Sequence, residues 1–151
     1  MNNYQHDSHG GKAIDAALLI VRVILGTIFI AHGSQKLFGA FQGPGLSGIV
    51  GMLGPVGYLV AIGEFFGGIG ILVGFLSRFC SAAILVIMTG ALALVHGQHG
   101  LFLKDNGSEF VLALMGLSLV IIIMGPGCYA FGRFFDLPKS KKTHRTMCFL
   151  E

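Results

Sequence analysis

Between Ile14 and Met124 the chain reads as four apolar segments, a pattern that confines it to a membrane before any motif is considered. The segments run about Ile14 to Lys36, Pro55 to Leu76, Phe79 to Val95 and Glu109 to Met124. Crossing roughly 30 Å of hydrocarbon takes about 20 apolar residues in a helix, so the segments match spans, the last two being short. Charged residues are only 11% of the chain, where a soluble domain carries about a quarter. The expected fold is therefore all-α, an integral membrane four-helix bundle. Its 151 residues leave room for one domain over residues 14–127, with an N-terminal tail over 1–13 and a basic tail over 128–151. Segment one is too long for a cleaved signal peptide, contains Arg22 and lacks a small-x-small cleavage site, so all four helices are expected in the mature protein.

Basic residues orient the bundle. Arg133, Lys139, Lys141, Lys142 and Arg145 follow segment four, Lys12 precedes segment one and Arg78 lies in the turn between segments two and three. Lys and Arg concentrate on the cytoplasmic side, so both termini and that turn are expected there, in a multi-pass protein of the inner (plasma) membrane. The tail PKSKKTHR can also meet anionic headgroups of the lipid bilayer.

Two charges interrupt the apolar runs: Arg22 in LLIVRVILG and Glu64 in LVAIGEFFGG. A charge in hydrocarbon is costly unless it is paired. Helical rise puts Arg22 about 12 Å above Ile14 and Glu64 about 17 Å above Phe75 on the same side, so the two are expected to form a buried ion pair. That pair reads as a structural lock between helices or as a working site. Gly63, Gly67, Gly70 and Gly74 share one face of segment two and let another helix approach closely, while Gly68 is expected to clear space beside the carboxylate.

A second polar group gathers at the opposite, outer end. His32, Gln35 and Lys36 lie on one side of segment one, His96 ends segment three and Glu109 begins segment four. They are expected either to line a pocket under the glycine-rich connection Phe38 to Gly48 or to form an ordinary interfacial girdle of hydrogen-bonding residues. Such a pocket suits a quinone headgroup, with His and Lys donating to carbonyl oxygens and Phe29, Phe38 and Phe41 flanking the ring. His6, His9 and His99 lack metal-site spacing, so no metal is expected, and His32 and His96 are a weak haem signal. Cys80, Cys128 and Cys148 contain no CxxC pair, which argues against dithiol catalysis. No phosphate loop, GxSxG or HExxH occurs, and no nucleic-acid partner is expected.

HGSQKLFGAFQGPG (His32 to Gly45), EFFGGIGILVG followed by Arg78, MTGALALVHG (Met88 to Gly97) and the GxE opening segment four (Gly107 to Glu109) together resemble the DoxX family, from about Arg22 to Gly127. The resemblance implies a four-helix membrane bundle related to the DoxD-type subunit of thiosulfate:quinone oxidoreductase. It also implies a link to membrane redox assemblies that handle oxidative or thiol stress. Arg22, His32, Gln35, Lys36, Glu64 and Glu109 match the family's recurrent polar positions, without assigned catalytic roles. Ala130 and Gly132 stand where the family often has a Ser-x-Asp pattern. On this reading the chain is a quinone-proximal or anchoring subunit with no redox centre of its own, so a partner protein supplies one, and bound quinone is the expected small molecule. The rival readings are a small transporter using Arg22 and Glu64 as a gate, or an assembly scaffold. A homo-oligomer is left open.

Overall fold

The computed structural model describes residues 4–97 and 99–134. Within them lie α1 (Tyr4–Phe38), α2 (Gly45–Leu53), α3 (Val56–Val73), α4 (Ser77–Ala91) and α5 (Glu109–Met124), with no strand among the described residues. A π-helical turn, Leu92–His96, continues α4. Gly10–Phe38, Val56–Val73 and Ser77–Val95 are each long and apolar enough to cross a membrane. The apolar α5 is shorter, rising about 24 Å. The three long helices and the shorter α5 match the four apolar segments expected from the hydropathy pattern, and α5 has the expected ends.

Two elements differ from expectation. The segment expected as an N-terminal tail is helical from Tyr4, so α1 runs well past Ile14 on that side. The connection after Phe38 is not all loop, because α2 forms in its second half. Leu46, Ile49, Val50 and Leu53 recur at helical spacing there, and Ile49 is buried. Gly54, at φ 62° and ψ −152°, ends the helix just before Pro55.

Close backbone approach sets the register of α1 against α3. A β-carbon at Gly33 would overlap the Phe65 main chain, and one at Gly68 would lie 2.8 Å from the Ile30 nitrogen and 3.0 Å from the Gly26 oxygen. Gly68 therefore serves helix packing rather than clearing space beside Glu64. The stripe of Gly63, Gly67 and Gly70 admits α4, whose Ile87, Ile84 and Cys80 side chains lie over it. The shared core joins Leu25 and Phe29 of α1, Ile71 of α3, Ile84 and Met88 of α4, and Val111, Leu114 and Ile121 of α5.

Candidate functional site

α1 holds two different polar constructions, one near its middle and one at its Phe38 end. Near the middle, Arg22 is 1% exposed. Its Nε donates to Ile71 O (2.9 Å), Nη2 to Leu72 O (2.8 Å), and Nη1 to both Pro126 O (3.0 Å) and Tyr129 O (2.9 Å). Ile71 and Leu72 lie in the last turn of α3, whose carbonyls carry the negative end of the helix dipole, and Ile71 O also accepts the Gly74 N–H at 3.2 Å. A guanidinium fork suits several acceptors at once, so among the described residues backbone oxygens compensate the charge. Asp15 adds a second tie from α1, its Oδ1 accepting the Cys128 N–H at 2.8 Å. The chain after α5 is thus gripped by α1 through residues 126–129. Ala130, one of the positions that depart from the family pattern, is buried against Gly74.

This geometry corrects the expected ion pair. Glu64 pairs with Lys36, not with Arg22: Lys36 Nζ donates to Glu64 Oε2. The depth argument failed because it set Ile14 level with Phe75. The glycine contacts instead set Arg22 level with Ile71 and Leu72, and Glu64 lies two turns, about 11 Å, further along α3. Gly26, Gly33 and Gly68 were the sequence signal that could have fixed this register.

At the far end, the Glu64 side chain is 3% exposed and that of Lys36 21%, so the pair is buried on one side and open on the other. His32, half-buried on the preceding turn of α1, lies in the field of both charges and beside the Gln35 side chain. Its ring packs at 6.2 Å and 52° against Phe110 of α5. Gly43 of the connection sits directly on the main chain of Gln35. Phe38 meets Phe65 edge-on at 5.3 Å, the residue next to Glu64.

His32, Gln35, Lys36 and Glu64 therefore come together. Glu109 does not join them: it is exposed, and its Oε1 accepts the Leu103 N–H, bracing the loop before α5. Phe29, expected beside a ligand, is 1% exposed in the hydrophobic core. His96 closes the π-helical turn, and its side chain lies outside the described residues, as do Lys139, Lys141, Lys142, Arg145 and Cys148. Among the described residues no group of three or more His, Cys, Asp or Glu is placed to hold a metal ion. Sequence reasoning missed Asp15 and Phe110. It had no cue for Phe110, an apolar residue in an apolar helix.

Helices of this length and hydropathy, buried charges and glycine-mediated packing define a multi-pass integral membrane protein. The chain belongs to the DoxX family, whose model matches residues 17–97, the stretch holding Arg22, His32, Lys36 and Glu64. It is similar to "Inner membrane protein YqjF" of Escherichia coli K12, 29% identical over 130 residues, covering 83% of this chain and 96% of that protein. It is also similar to "Putative oxidoreductase CatD" of Bacillus subtilis 168, 26% identical over 110 residues, covering 73% of this chain and 81% of that protein. No solved structure matches the chain. The protein is a multi-pass protein of the inner membrane.

Proposed function

We propose that this DoxX protein is a quinone-proximal or anchoring subunit of a membrane redox assembly, and that His32, Gln35, Lys36 and Glu64 recognise the polar head of a lipid-soluble ligand. The half-open Lys36–Glu64 pair carries this reading. Glu64, buried, holds the Lys36 ammonium in place, while that group has donors left for a second acceptor. His32 and Gln35 offer further hydrogen bonds one turn away. Together they suit the carbonyl oxygen of a quinone, whose ring would find the apolar edge of Phe38 and Phe65. The naming of the Bacillus relative as an oxidoreductase supports the redox context. A partner protein supplies the redox centre in this reading, and oxidative or thiol stress is the setting the family resemblance suggests.

The termini face the cytoplasm on this reading, which puts Lys12 and Arg78 on the positive side. The transporter reading loses its basis, since its gate required Arg22 and Glu64 to meet and Arg22 is committed to four backbone carbonyls. The test is extraction of lipid from protein purified in native membrane discs. Co-purified quinone in wild type, lost in Lys36→Met, supports the ligand site. Protein that never carries quinone, alone or with a co-purified partner, contradicts it and leaves a scaffold.

A further inference from the structure

From Lys36 to Glu64 the chain contains no Asp, Glu, Lys, Arg or His between those two residues, although the interval holds a loop, α2 and the start of α3. The other connection at the same end, residues 96–109, carries His96, His99, Lys104, Asp105 and Glu109. A segment that turned back in water would have no reason to exclude charge so completely. The exposed side chains agree. Val56, Leu59, Ile62 and Phe66 form an exposed stripe along the outside of α3, and Met52, four residues before Val56 on α2, is exposed as well. Met52 and Phe41 are among the most exposed large apolar residues, at 74% and 73%. The outside of α3 faces lipid, so the face running on from it has the same neighbour.

We propose that the whole connection between α1 and α3, with α2, is immersed in the membrane leaflet at the His32 end, its exposed face covered by lipid acyl chains. On the ligand-site reading above, a molecule would then reach Lys36 and Glu64 sideways from lipid; the immersion itself does not depend on that reading.

The chain has no tryptophan, so one introduced indole reports without background. Met52→Trp and, separately, Phe41→Trp are placed in lipid vesicles, with Leu59→Trp as the reference on α3. Immersion predicts blue-shifted emission in the first two, strong quenching by lipids brominated on their acyl chains and little by aqueous iodide, as for Leu59→Trp. Red-shifted emission quenched by iodide would place the connection in water and overturn the proposal. Protection from both quenchers would overturn it too, by showing a second copy or partner protein on this face. No quinone enters the experiment, so its outcome is separate from that of the ligand site.

Discussion

The middle of α1 and its Phe38 end solve the same problem, a cation within the membrane, in opposite ways. Arg22 is closed in by four main-chain carbonyls from α3 and the segment after α5. Those acceptors cannot leave without unwinding a helix end or moving the loop, so the construction holds the fold. Lys36 is balanced by one side-chain carboxylate and is partly open, so its partner can be shared. On the proposed reading, the charge that marks a working site is the one whose compensation leaves donors free.

The comparison is broken most strongly at Arg22. Arg22→Met should destabilise the bundle by roughly 3 to 5 kcal/mol, since buried carbonyls of two segments lose a charged donor together. Arg22→Lys should recover only a fraction, lacking the fork. Unfolding in detergent measures both.

The corrected pairing is tested next. Lys36→Met should cost roughly 2 to 4 kcal/mol by leaving the Glu64 carboxylate buried and unpaired, and adding Glu64→Leu should return part of that. A double-mutant cycle should give about 1 to 3 kcal/mol of coupling between Lys36 and Glu64, while Arg22 and Glu64 should be additive within about 0.5 kcal/mol. Strong coupling of Arg22 to Glu64 would restore the arrangement that the sequence suggested.

Register is the link between the two constructions. Gly33→Ala pushes a methyl into the Phe65 main chain and should cost roughly 1 to 3 kcal/mol. Gly116→Ala in α5, with nothing within 4 Å of the added carbon, should be neutral or stabilising by up to about 1 kcal/mol. The smallest effect is expected at Glu109→Gln, roughly 0.5 to 1 kcal/mol, seen as faster amide exchange at Leu103 without change at Lys36.

The spans were legible because hydrocarbon imposes length and apolarity on each helix, which is why α5 ran from Glu109 to Met124 in both readings. The identity of the polar positions was legible for the same reason: Arg22, Lys36 and Glu64 stand out against an apolar background. Their pairing was not. Side-chain partners follow from the axial offset of two helices, and the offset was judged from where apolar runs begin, whereas α1 extends on to Tyr4 and the packed glycines decide the register. Glu109 was grouped with His32 because both lie near the same end, but end is a depth and says nothing of azimuth around the bundle. α2 was missed because its glycines and the flanking prolines read as loop, while the apolar spacing from Leu46 to Leu53 spoke for a helix.

The central claim, that the Phe38 end of α1 binds and the Asp15 to Arg22 stretch holds, is tested most directly by titrating a quinone analogue into discs containing wild type, Lys36→Met, His32→Ala and Asp15→Asn. The account predicts saturable binding to wild type, weakened by a loss of about 1 to 3 kcal/mol in Lys36→Met and His32→Ala and unchanged in Asp15→Asn, whose carboxylate holds the segment after α5. Equal binding by all four proteins, or none by wild type, would contradict it.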